Sequence, residues 1–181
     1  MLNVRTMGTL AAATAFVTTA LFAQEKPAPQ KPPAPEAAKP AAGHPAAKHV
    51  MVTMGDITWG PAPDGLPAGA QVAVLDGDPS KAGAPFVVRA KMPDGYKVMP
   101  HWHPADESIT VIAGSFALGM GDAWSDSSLK ELKAGEFARM SKMMRHYALA
   151  KGETIIQIHG VGPFTITYVN PKDDPRKKTT H

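Results

Sequence analysis

The 181-residue sequence contains no cysteine. That absence excludes a disulfide scaffold, a thiolate metal site, a cysteine nucleophile and a lipid-modified cysteine anchor. A phosphate-binding glycine loop, a serine nucleophile elbow and a paired-carboxylate glycosidase pattern are also missing. Helical periodicity is nearly absent, since only Ser128 to Lys133 has it, for a single turn or so. Charge of one sign is scarce where it would matter. The net charge is +3, but residues 1–49 hold five basic residues against two acids, whereas residues 50–181 hold 14 of each. The basic excess is therefore N-terminal and gives the rest of the chain no attraction for nucleic acid or an anionic surface. The terminal Arg176-Lys177-Lys178 cluster is too small and local to change that.

What is present divides into four stretches. Residues 1–23 carry one charge, Arg5, then a mildly apolar run from Leu10 to Phe22 and small residues before Gln24. This reads as a secretory signal peptide cleaved after Ala23, with Ala20 as the alternative site and an uncleaved anchor as the competing reading. The expected location is periplasmic or secreted, with no stable membrane span after cleavage. Residues 24–49 are dominated by Pro, Ala and Lys, with seven Pro in the first 25 positions and no aromatic side chain. They cannot recover ordering entropy by burial and read as a disordered linker, with His44 and His49 solvated. Residues 50–172 form the expected folded domain, and 173–181 a solvated, flexible tail.

Within the domain, short runs of period-two alternation recur between turn signals. Strands are expected at 71–75, 86–91, 96–103, 107–113, 115–120, 136–141, 146–150, 153–159 and 164–169. That many short strands, without a repeat or a long helix, predict an all-β antiparallel sandwich or small barrel.

The chemistry concentrates in Gly95-Tyr96-Lys97-Val98-Met99-Pro100-His101-Trp102-His103-Pro104-Ala105-Asp106-Glu107. His101 and His103 are two apart, so on a strand both imidazoles leave one face and reach a common ion. Glu107 is about 13 Å farther along a fully extended chain at about 3.3 Å per residue. It joins them only if Pro104-Ala105-Asp106 turns, and its turn-forming residues favour that. His146 opens a later strand and is the fourth candidate. Three neutral imidazoles and one carboxylate would leave a divalent ion near +1 with open positions for water, dioxygen or a chelating oxyanion.

The wider frame resembles the cupin superfamily, and in particular small secreted bacterial single-domain cupins of unassigned activity. Gly95, His101, His103, Glu107 and Gly114 match every fixed position of the first cupin motif. Gly135 and His146 match the second, with Ser141, Met143 and Ala150 standing where Pro, Gly and Asn are usual. The resemblance spans about Gln71 to Val169. It implies a jelly-roll barrel, or double-stranded β-helix, with His101, His103, Glu107 and His146 holding one divalent transition metal, whether Fe, Mn, Zn, Ni or Cu. The expected function is a small-molecule metalloenzyme of dioxygenase or Lewis-acid type. Glu107 serves as a ligand or, released from the metal, as catalytic base. A non-catalytic sensing cupin, similar to the zinc-binding cupin of anti-sigma factors, is the alternative, and a purely structural metal the third reading.

Neighbouring residues carry narrower expectations. Met99 and Met144 share parity with His101 and His146, and are read as fillers of apolar gaps rather than soft ligands. Met140 and Met143 are read in the same way. Trp102 should face outward, on the barrel surface or an oligomer contact, and a homodimer is expected. Tyr96 and Phe116 should line the cavity. Arg139 and Arg145 should be solvated or ion-paired, and His159 on the surface.

Overall fold

Alternating burial organises the chain. In Pro85–Met92, Phe86, Val88, Ala90 and Met92 are buried while the residues between them are not. Such a strand places one face on a core and the other toward water. The structure is a computed structural model describing residues 49–177, all within one compact unit. The strands are β1 (Gly60–Pro61), β2 (Gln71–Gly77), β3 (Pro85–Met92), β4 (Lys97–Trp102), β5 (Glu107–Met120), β6 (Lys130–Lys133), β7 (Phe137–Met140), β8 (His146–Val161) and β9 (Thr167–Tyr168). All pair antiparallel in one curled sheet, as the all-β reading requires.

β8 is the hub. Its first residues pair with β4, its last eight with β3, and β5 runs along its other side from Ser108↔His159 to Met120↔His146. The remaining strands extend these edges in the order β1-β2-β3 and β4-β9, while β6 and β7 pair with the two halves of β5. The inward faces enclose a core that includes Val88, Ile109, Val111, Phe116, Ala150 and Ile156.

Two pairs of expected strands are each continuous. Residues 107–113 and 115–120 form one β5, and 146–150 and 153–159 form one β8. The glycines read as breaks are bends within a ladder. Gly114 has φ 76°, and a Cβ there would lie 2.3 Å from Glu153 O, so only glycine fits. The register slips on both sides of Ala113, once across Gly114. The fully buried Thr154 repairs the slip: its Oγ1 donates to Ser115 O at 2.9 Å and accepts from Ser115 N–H at 3.3 Å.

Three expectations are corrected. Ser128 to Lys133 is not helical, because Asp126–Ser128 makes a 3-10 turn and Lys130–Lys133 pairs with Ser115–Leu118 of β5. Glu131 fixes that edge by accepting from Ser115 Oγ at 2.7 Å and Lys151 Nζ at 2.8 Å, with Lys133 alongside. The strand expected at 164–169 shrinks to Thr167–Tyr168, because Phe164, Thr165 and Ile166 leave the ladder and line the cavity instead. The tail does not begin at Asp173. Pro171–Asp173 and Pro175–Lys177 form 3-10 turns, and buried Asp174 pairs with Arg176, whose Nη2 donates to Ile166 O at 3.1 Å. The leader, most of the linker and residues 178–181 lie outside the described residues.

The Thr154 bridge is testable. Thr154→Val, which keeps the shape and removes the hydroxyl, should destabilise by roughly 1–3 kcal/mol because it orphans buried backbone groups of Ser115. Thr154→Ser should recover much of that loss. Urea unfolding of the three proteins measures it, and a valine variant as stable as the parent would refute the role.

Candidate metal centre

A bulge in β4 sets the inward face. Val98 pairs with Ala148 but His101 with His146, so β4 has one residue more than β8 across that interval. Val98 and His101 therefore both face the cavity, while Met99 does not line it and packs against the core. The Met99 and His101 parity expected of an unbroken strand is lost there. What Met99 supplies is its carbonyl, 2.8 Å from His101 Nδ1.

The turn at Pro104-Ala105-Asp106 forms as expected and makes Glu107 the first residue of β5. Asp106 ties this turn to the one before β8, accepting from Lys142 N–H at 2.8 Å and pairing with Arg139. Met143 N–H donates to His103 O at 2.8 Å. Met143 has φ 65°, the left-handed conformation for which the family usually has glycine, so the turn shape survives the substitution at a local cost of about 1 kcal/mol. The two turns bring His146, at the head of β8, beside the other candidates.

His101, His103 and His146 are all buried, and one ring nitrogen from each lies within 4.8 Å of the others. Bonds of about 2.1 Å on opposite sides of an ion span about 4.2 Å, so small side-chain rotations close the trio on one metal. Glu107 stands beside it, with Oε2 3.1 Å from His146 Nε2 and 3.7 Å from His103 Nε2.

The tautomers follow from the backbone. His101 Nδ1 faces Met99 O at 2.8 Å, His103 Nδ1 faces Thr165 O at 2.8 Å, and His146 Nδ1 faces Met144 O at 3.0 Å. A carbonyl only accepts, so each Nδ1 carries a proton and each neutral ring presents the Nε2 lone pair to the centre. His103 Nε2 and Glu107 Oε2 are buried with no hydrogen-bond partner, the 3.1 Å contact from His146 being out of alignment. Buried acceptors facing one another without donors are costly, and a cation between them removes that cost. The donor set therefore fits a divalent transition metal.

Electrostatics agree. Burial, reinforced by His146 and His103, drives His101 down to about 3, and burial also lowers His103. Burial alone would raise Glu107, but the imidazoles around it, His146 foremost, hold it below its ordinary value. For His146 burial opposes the proton, yet the adjoining Glu107 carboxylate outweighs it and raises the pKa. Without metal, the proton belongs on His146, next to a charged Glu107.

Other residues fall into place around the site. Tyr96 and Phe116 line the cavity, level with Ala150 of β8. Arg139 and Arg145 are ion-paired at the surface, with Asp106 and Asp122, and His159 is exposed on the outer face. Met140 is buried opposite Glu107 and fills apolar space as expected, but Met143 and Met144 are exposed and do not, because both lie in the turn before β8. Sequence reasoning missed Phe164, whose ring stacks on His103 at 4.3 Å and 12°, and the carbonyl of Thr165. Both lie in the segment read as a regular strand.

A metal competes with the proton that Glu107 favours on His146, whereas burial disfavours the proton on His101 and His103. Apparent zinc affinity should therefore fall about tenfold per unit as pH drops through the His146 titration, which begins above the ordinary 6.5. Calorimetric titration between about pH 5 and 8 measures it. A flat profile across that range would contradict the assignment.

Comparisons with known proteins agree with the architecture. A family model described as "ChrR Cupin-like domain" matches residues 47–165. The polyketide cyclase RemF from Streptomyces resistomycificus is similar with a TM-score of 0.59 and 16% identity, over 72% of this chain and 92% of that one. An acetylacetone dioxygenase from Acinetobacter johnsonii is similar with a TM-score of 0.53 and 14% identity, over 74% and 85%. At such identities they share a fold, not a demonstrated chemistry. No curated protein matches the sequence. The matched length, the curled sheet and the inward histidines lead to one conclusion: the described residues fold as a cupin domain, and the chain belongs to the ChrR cupin-like family.

Proposed function

We propose that the protein is an exported mononuclear metalloenzyme acting on a small oxygen-bearing molecule. The observation that carries this reading is the convergence of three backbone-clamped imidazoles on the wall of a cavity of about 340 Å³. That volume lies within the range of small-molecule sites. His101, His103 and His146 would hold the ion, with Glu107 as fourth ligand. A divalent transition metal bound there supplies Lewis-acid or redox chemistry to a substrate oxygen.

The chain's own residues have separable tasks. The carbonyls of Met99, Thr165 and Met144 fix the imidazole planes, and Phe164 holds the flat face of His103. Apolar walls exclude water from the reacting end, which strengthens every charge interaction there. Glu107 is charged and buried beside His146, so it is placed either to ligate or to take a proton from a bound substrate at its Oε2. Export rests on the leader at residues 1–23 and the linker after it. Among the described residues no helix is long and apolar enough to cross a membrane. A homodimer remains part of the proposal, with the half-buried Trp102 as a contact candidate.

The family match favours one second reading, a non-catalytic metal-dependent ligand sensor. A turnover screen separates the two. Protein loaded anaerobically with iron, manganese, zinc, nickel or copper is incubated with diphenols, oxalate and short keto acids. The enzyme reading predicts one metal per chain, turnover with at least one pair, and loss of both in His101→Ala and His146→Ala. Glu107→Gln should lower turnover by about 10²-fold or more if Glu107 is the base. Stoichiometric metal without turnover by any pair would favour the sensor.

A further inference from the structure

The metal reading leaves most of the cavity wall unused. Apart from the candidate ligands the wall is built from inward residues of β2, β3, β5 and β8, among them Val72, Val88, Ile109, Leu118, Ile156 and Ile158. Two of the polar side chains on it, Tyr96 and Arg176, already hold partners. Tyr96 Oη donates to Pro67 O at 2.5 Å. Arg176 reaches the lining, but it is paired two-pronged with Asp174, Nε to Oδ1 at 2.8 Å and Nη2 to Oδ2 at 2.9 Å. Thr165 contributes the carbonyl that holds His103. Polar groups are therefore concentrated where His101, His103, Glu107 and His146 meet.

Such a cavity discriminates by desolvation. A body bearing hydroxyls or charges would lose its water and gain no partner, a loss of several hydrogen bonds' worth of free energy. A ring or branched alkyl body gains by leaving water. We infer that the site selects a molecule with one oxygen-chelating head and an uncharged, apolar body about the size of an aromatic ring. Sugars and short dicarboxylates are thereby excluded. This inference rests on the metalloenzyme reading above and names the substrate class for the same site.

Hydroxamates test it because they share one chelating head and differ in the body. The full chain is loaded with zinc, which does not turn over redox substrates, and titrated calorimetrically with acetohydroxamate, benzohydroxamate and para-carboxybenzohydroxamate. Benzohydroxamate should bind about tenfold or more tighter than acetohydroxamate. The carboxylated analogue should lose that advantage. Narrowing the cavity with Ala90→Leu or Ala148→Val should weaken benzohydroxamate selectively, with zinc stoichiometry and acetohydroxamate affinity kept.

Equal affinity for the first two ligands, or tighter binding of the carboxylated one, overturns the inference. The wild-type series decides this even if both cavity variants misfold. Zinc uptake without discrimination among the hydroxamates defeats this inference alone, whereas failure to take up zinc defeats the metal reading and this inference with it.

Discussion

Three imidazoles held by three backbone carbonyls are the constraint on which the site depends. Without those carbonyls each ring could present either nitrogen or rotate away. With them, Nδ1 is fixed as a donor and Nε2 as the inward lone pair, so the centre is organised before any ion arrives. The arrangement is costly when empty, because buried acceptors face one another around a charged Glu107. A proton on His146 offsets part of that cost, and a divalent ion offsets more. Metal binding and proton release are therefore one event at this site.

The sheet exists in the form needed to deliver those carbonyls. One extra residue in β4 turns Met99 off the cavity and places its carbonyl against His101. β8 carries His146 at its head and supplies Ile156 and Ile158 farther along its length, so one strand contributes both a candidate ligand and apolar wall. Its long pairing with β5 needs the slip at Gly114, and the slip needs Thr154. Elements far from the metal thus set its geometry through ladder register. The C-terminal turns add a further layer, since Arg176 joins Asp174 to the Ile166 carbonyl beside the residues that hold His103.

Much of this was legible in the sequence, and the legible part had a physical reason. His101 and His103 share a face because the strand period is two, and Glu107 returns because Pro104-Ala105-Asp106 turns easily. Matching the family frame, at Gly95 and Gly114 in the first motif and Gly135 in the second, singled out His146 and narrowed the all-β reading to a jelly roll. The illegible part involved features with little side-chain signature. The bulge between Val98 and His101 changes parity, and its one mark in the sequence is Pro100, which has no N–H to give a ladder. Lys130–Lys133 alternates too weakly to read as a strand, and it becomes one by pairing along β5. Phe164 and the Thr165 carbonyl act through an irregular segment, where periodicity carries no information. Asp173 onward looked solvated because its charges were counted individually, whereas Asp174 and Arg176 neutralise each other against the fold.

The central claim is that His101, His103, His146 and Glu107 bind a single ion through three Nε2 atoms and a carboxylate oxygen. X-ray absorption at the metal edge of zinc-loaded protein tests it most directly. The claim predicts three imidazole nitrogens and at least one oxygen at about 2.0–2.2 Å, with the outer-shell scattering of intact imidazole rings. A first shell of oxygen alone, or one with fewer than three imidazoles, would contradict it.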